Sequence, residues 1–155
     1  MIKKYGYDKL KIQLKIENID AFIFDFDGVL TDNLVSIDQA GNEFVSCSRA
    51  DGLAFDIFRE LNIPTFILST ESNPVVAARG RKLKVPVIQS VINKEEALRK
   101  LVKENGYSFE KIFYVGNDLN DYNAMSLCGF SACPADSHKV IQDLSSFLLS
   151  TDGGK

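Results

Sequence analysis

The chain has 155 residues, a net charge of −3, and 45% hydrophobic against 25% charged residues, the balance of one folded domain with a single sizeable core. No basic cluster stands out, which argues against nucleic acid or an anionic membrane surface as a partner, and no apolar run approaches the roughly 20 residues that span a bilayer. The opening MIKKYGYDKLKIQLKIENID is too polar for a signal peptide, and three cysteines without a CxxC pair read as reduced thiols, so the expected location is the cytoplasm.

Residues 1–18 read as a polar lead-in and 19–155 as one domain. Ala21–Phe26 is an apolar run of buried-strand length. Leu34–Ile37 and Glu43–Cys47 flank Asp38-Gln-Ala-Gly-Asn42, a turn signal that predicts a β-hairpin. Leu53, Ile57 and Leu61, with Ala54 and Phe58 alongside, form a helical stripe, and Asp51 near its start suits the helix dipole. Pro64–Ser69 is the second strand, Pro74–Leu83 a helix and Val85–Gln89 the third strand. Asn93 is placed to cap a helix that runs to Asn105 and stops at Gly106. Lys111–Val115, a helix near Leu119–Leu127, Phe130–Cys133 and a final helix Ser137–Leu149 complete the chain. Strand and helix alternate after the hairpin, which predicts an α/β domain with a doubly wound, mostly parallel, Rossmann-like sheet.

Ligands of such sheets bind beyond the carboxyl ends of the strands. Asp25 and Asp27 lie at the end of the first strand, Ser69 and Thr70 at the end of the second. Lys94 opens the helix after the third strand, and Gly116, Asn117 and Asp118 follow the fourth. Two neighbouring carboxylates repel each other and lose solvation when buried. A hard cation would offset that cost, and oxygen donors from Asp25, Asp27, Asn117, Asp118 and Asp121 suit Mg²⁺. An ionised aspartate beside such an ion can attack phosphorus, so Asp25 is the candidate nucleophile. Asp27 is the candidate acid and base, and Ser69, Lys94 and the backbone near Gly28 are candidate phosphoryl donors. Singly, each has a plainer explanation: a turn acid, a solvated helix lysine, a strand-ending serine, dipole-favoured helix acids. Their joint order along the chain favours chemistry. His138 is given no catalytic role, and the cysteines read as small buried hydrophobes.

These residues resemble the haloacid dehalogenase superfamily. Asp25–Asp32, DFDGVLTD, looks like its nucleophile motif DxDGVxTD, Ser69 and Lys94 fall at its Ser/Thr and Lys positions, and GNDLND at Gly116–Asp121 looks like its acidic metal motif. The hairpin at Leu34–Cys47, standing in place of a cap domain, and SRADGLAF at Ser48–Phe55 are similar to the capless branch. That branch includes 3-deoxy-D-manno-octulosonate 8-phosphate phosphatases and the C-terminal domain of acylneuraminate cytidylyltransferases. The resemblance implies Mg²⁺, a keto-deoxy sugar acid phosphate of the octulosonate 8-phosphate or nonulosonate 9-phosphate type, and a homotetramer whose flaps help close neighbouring sites. Arg49, beside the flap, is the candidate for the substrate carboxylate.

Three departures stand out. Asn117 replaces the branch's usual first Asp and offers an uncharged oxygen. Thr70-Glu71 replaces the usual Gly-Arg after the Ser/Thr position. The chain ends at Thr151-Asp-Gly-Gly-Lys155, short of the arginine in the branch's GGxGAxRE tail. A second reading therefore stays open: a weakly active or inactive oligomerisation module like that of the cytidylyltransferases. A signalling receiver domain is disfavoured, because its phosphoacceptor ends the third strand and not the first.

Overall fold

The computed structural model describes residues 15–155. The expected lead-in falls largely on residues 1–14, outside the described residues, and Ile16–Asn18 form one 3-10 turn. β1 (Ala21–Phe24) comes next. β2 (Ser36–Ile37) and β3 (Glu43–Phe44) then make the expected antiparallel hairpin, shorter than its apolar flanks suggested. β4 (Thr65–Leu68), β5 (Val87–Ile88), β6 (Ile112–Val115), β7 (Phe130–Cys133) and β8 (Phe147–Leu148) join β1 in one sheet. Its order is β5-β4-β1-β6-β7-β8, and every pair is parallel. One half winds outward from β1 to β5. The other restarts beside β1 at β6 and winds to β8. The winding direction reverses between β1 and β6, so the loops leaving their carboxyl ends part there and open a crevice.

A central parallel strand is covered on both faces and must be apolar on both. Ala21 and Ile23 of β1 join one core with Leu98, Leu101 and Val102 of α3 (Lys94–Asn105), Ala124 and Met125 of α4 (Tyr122–Leu127), and Ile141 of α5 (Lys139–Leu144). Burial of each such aliphatic side chain contributes roughly 1.5–3 kcal/mol. Phe24 of β1 packs into the opposite core with Phe55 of α1 (Ala50–Glu60) and Val76 and Leu83 of α2 (Val75–Leu83). The Phe22 ring stacks on Phe113 at 4.9 Å and tilts against Phe58 at 4.8 Å. The doubly wound parallel sheet is thus as expected.

The Leu53-Ile57-Leu61 stripe is helical as expected; Leu53 is 71% and Ile57 56% exposed, and Phe58 beside it makes the contacts with the sheet together with Phe55. One expectation is corrected. The final helix stops at Leu144, not Leu149. Ser145 bonds back to Ile141 through both its N–H and its hydroxyl, and Phe147–Leu148 pair with Ala132 and Cys133 as a sixth strand. His138 is the N-cap of α5, its Nδ1 accepting the Val140 N–H.

The start of α3 matters most for the site, because Lys94 is its first residue. Asn93 caps it: Oδ1 accepts the N–H groups of Glu95 at 2.9 Å and Glu96 at 3.3 Å. Gly106, at φ +69°, closes the other end in a left-handed turn. Asn93→Ala is expected to lower unfolding free energy by about 1 kcal/mol, measured as a shifted urea midpoint at constant m-value.

Candidate active site

Asp25 leaves β1 at the crevice. Its N–H donates to the Val115 carbonyl at the end of β6, which ties the two strand ends together at 2.9 Å. The residue is 4% exposed. Its Oδ1 accepts the Phe26 N–H at 2.7 Å and lies 2.7 Å from the Lys94 ammonium. Among the described residues, Oδ2 receives no hydrogen bond.

Lys94 is 2% exposed and reaches across the crevice from the start of α3, so that its Nζ also lies 2.7 Å from Oδ1 of Asp121. Asp121 is fully buried in the 3-10 turn Leu119–Asp121. Its Oδ1 additionally accepts the Tyr114 hydroxyl at 2.9 Å. Its Oδ2 accepts the N–H groups of Asn117 at 3.0 Å and Asp118 at 3.3 Å. Gly116 makes room for this: a Cβ there would lie 2.6 Å from Asp121 Cγ.

One ammonium therefore serves two buried carboxylates. Burial pushes the Asp25 carboxyl up to about 8; repulsion from Asp121 adds to this, and Lys94 opposes it. Burial alone would lower the Lys94 ammonium, but Asp25 and Asp121 reverse that and raise it, so it stays charged. Tyr114 is raised well above the ordinary phenol range by burial and by the same two acids.

Asp27 stands at the rim, half-buried, with the Thr31 hydroxyl donating to Oδ1 at 3.5 Å. Burial raises its carboxyl, and Glu71 raises it further against the pull of Thr31 and Lys94. Thr31 also accepts the N–H groups of Gly28 and Asn33, and so shapes the loop. Gly28 sits at φ +77° with no room for a side chain, because a Cβ would fall 1.9 Å from Asn117 Nδ2. The Asn117 amide is thus pressed onto the Asp25–Gly28 loop, and its Oδ1 is buried without a hydrogen-bond partner.

An orphaned buried amide oxygen and the free oxygen of a buried carboxylate are each the kind of donor a hard cation takes. Asp25 and Asn117 are the side chains that fit such an ion. Among the described residues no three acids, histidines or cysteines gather into an ion-binding group. Asp121, expected in the metal shell, instead has both oxygens filled by four protein donors. Asp118, also expected there, is exposed and caps the 3-10 turn through the Leu119 N–H.

Ser69 is buried at the end of β4, its hydroxyl accepting the Glu71 N–H at 3.0 Å. Thr70 is exposed and reaches Asn120 at 3.5 Å. Arg49 stands apart: it lines a basic groove of about 490 Å³ with Arg59, Arg79, Lys82 and Lys84, and none of the crevice residues borders it. An apolar hollow of about 300 Å³ over Phe22, Phe24 and Phe113 likewise holds neither Asp25 nor Lys94. Sequence reasoning assigned nothing to Thr31 or Tyr114. Thr31 was signalled only by its place in the DxDGVxTD run, and Tyr114 only as a polar ring in an apolar strand.

Lys94→Met would leave two buried carboxylates without their cation. In the presence of EDTA, near pH 8, it is expected to cost about 3 kcal/mol or more in urea unfolding. The loss should shrink near pH 5. The raised Asp25 carboxyl holds a proton in the folded state that the unfolded chain releases from about pH 4 upward. Its stabilising effect is therefore present at low pH and fades as pH climbs toward 8.

The haloacid dehalogenase-like hydrolase family matches residues 67–152. The chain is 33% identical over 145 residues to the 3-deoxy-D-manno-octulosonate 8-phosphate phosphatase of Haemophilus influenzae, covering 93% of this chain and 81% of that protein. A solved HAD-family protein of Streptomyces avermitilis is 43% identical with a TM-score of 0.88, covering 91% and 81% of the two chains. The Moraxella catarrhalis 3-deoxy-D-manno-octulosonate 8-phosphate phosphatase, solved with magnesium, phosphate and KDO, is 26% identical with a TM-score of 0.88, covering 94% and 84%. With that agreement in sequence and fold, and an Asp25–Lys94–Asp121 cluster at the switch of the sheet, the chain belongs to the haloacid dehalogenase-like hydrolases.

Proposed function

We propose that the protein is a Mg²⁺-dependent phosphatase of a keto-deoxy sugar acid phosphate, of the octulosonate 8-phosphate or nonulosonate 9-phosphate type, working through an aspartyl-phosphate. The observation that carries this reading is Asp25: a buried carboxylate with one oxygen pinned by Lys94 and Phe26 and the other unbonded among the described residues. A phosphatase relative solved with magnesium and phosphate supports the metal and the reaction class.

Oδ2 of Asp25 attacks phosphorus in line, and the bond to the sugar oxygen breaks. Asp27, held at the rim by Thr31 and raised by burial and by Glu71, gives that oxygen its proton. Water then attacks phosphorus of the aspartyl-phosphate as Asp27 takes its proton, the bond from phosphorus to Asp25 Oδ2 breaks, and inorganic phosphate leaves. The Lys94 ammonium, the Ser69 hydroxyl and backbone donors around Gly28 and Thr70 hold the phosphoryl oxygens. Asp25, the Asn117 amide and the Asp27 main-chain carbonyl would hold the ion, which when bound offsets the negative charge gathered between carboxylate and phosphate.

The surface supports the assembly reading. Leu34, Val35, Ile37 and Phe44 of the hairpin, Leu53 and Ile57 of α1 and Leu61 at its end are all at least half exposed, and exposed apolar side chains of this kind suit an interface. That supports a homotetramer, and it equally supports the oligomerisation module. Arg49 then meets a sugar carboxylate from a neighbouring copy, since in its own chain it lies away from Asp25.

The test is turnover of a panel of sugar phosphates with and without Mg²⁺. Keto-deoxy sugar acid phosphates should be preferred, and EDTA should abolish activity. Asp25→Asn should reduce turnover by at least roughly a thousandfold at an unchanged sedimentation profile. A tetramer without activity toward any ester on the panel would leave the oligomerisation module as the function.

A further inference from the structure

We infer that Tyr114 is a positioning residue of this phosphatase: its hydroxyl fixes Asp121, and through Asp121 holds the Lys94 ammonium against Asp25. The inference rests on the reading of Asp25 as nucleophile.

Tyr114 lies in the middle of β6, hydrogen-bonded in register beside Ile23 of β1. It is fully buried among Ile23, Leu98, Ala124 and Met125. An unpartnered hydroxyl there would cost about 1–3 kcal/mol, which a phenylalanine would avoid. The sheet uses phenylalanine at neighbouring positions, at Phe22, Phe24, Phe66 and Phe113. The phenol differs in one contact, the 2.9 Å donation to Asp121 Oδ1. That same oxygen accepts Lys94.

Asp121 Oδ2 is fixed by two N–H groups of its own loop, whereas Oδ1 has only the Tyr114 hydroxyl and the Lys94 ammonium. Lys94 is the flexible member of that pair. Without the phenol, the carboxylate can turn about its Cβ–Cγ bond, and the long lysine follows it. This matters most in the covalent intermediate. When Oδ2 of Asp25 bonds to phosphorus and the sugar oxygen departs, Asp25 becomes a mixed anhydride and loses its charge. Asp121 is then the remaining protein anion in contact with Lys94, so the stiffness of Asp121 determines where the ammonium meets the phosphoryl oxygens.

Tyr114→Phe keeps the ring and should fold. Its kcat on the best substrate of the panel should fall about tenfold, with KM within about twofold, since the lost contact is a hydrogen bond to a charged group. The Lys94 ammonium, locked between two carboxylates in the wild type, should give a slowly exchanging ¹⁵Nζ resonance that broadens or vanishes in Y114F. Wild-type kcat in Y114F would overturn the inference while leaving the nucleophile reading intact. If wild type and D25N are both inactive, the nucleophile reading falls and the Lys94 resonance decides alone: an unchanged signal in Y114F overturns the positioning claim. Should Y114F fail to fold, Asp121→Asn carries the same expectation in both measurements.

Discussion

The site is organised by a shortage of positive charge. Lys94 is one cation held at equal distance from two buried carboxylates, Asp25 and Asp121. Two buried carboxylates exceed what one ammonium can neutralise. Burial, with repulsion from Asp121, raises the Asp25 carboxyl to about 8, while Asp121 accepts two backbone N–H groups and a phenol where Asp25 accepts one backbone N–H. The cluster is thus asymmetric in a useful way. One acid has both oxygens filled by protein donors, while the other keeps an oxygen without a hydrogen bond among the described residues.

The fold supplies the geometry that this asymmetry needs. Asp25 follows β1, Asn117 and Asp121 follow β6, and Lys94 opens the helix that crosses from β5 to β6. These segments are far apart in the chain but meet at the sheet's reversal point. The Asp25 N–H to Val115 carbonyl bond ties the two strand ends together through the backbone alone. Glycines at 28 and 116 then let the loops close on Asn117 and Asp121 with no Cβ between them.

The strands were legible because a buried parallel strand is a continuous apolar run ended by polar residues, and the order of those ends revealed the crevice. Periodicity was less informative about environment. Leu53, Ile57 and Leu61 announce a helix correctly, but a stripe looks the same whether it meets its own sheet or another molecule. Near the end of the chain, Ile141, Leu144 and Leu148 keep helical spacing across a break made by Ser145, whose hydroxyl bonds Ile141; a two-residue strand is too short to compete with that pattern. Asp121 illustrates a different limit. Sequence shows an acid four residues after Asn117, yet a metal ligand and a lysine anchor are the same residue type. Only the donors around the carboxylate distinguish them, and one of these, Tyr114, comes from a strand whose other side chains are ordinary core.

Asn117 is where these threads meet. With both acids ionised, two carboxylates and one ammonium leave the cluster with one surplus negative charge. A divalent ion on the free oxygens would turn that into one surplus positive charge, which favours entry of a phosphate dianion. An aspartate at position 117 would cancel this surplus: it would grip the ion harder but meet the phosphate with a neutral site. On the proposed reading, the amide would exchange metal affinity for substrate affinity. With Glu71 near Asp27 where an arginine is usual in the branch, a bound phosphate would meet fewer cations at the rim, and the charge left unspent by Asn117 would carry more of its binding.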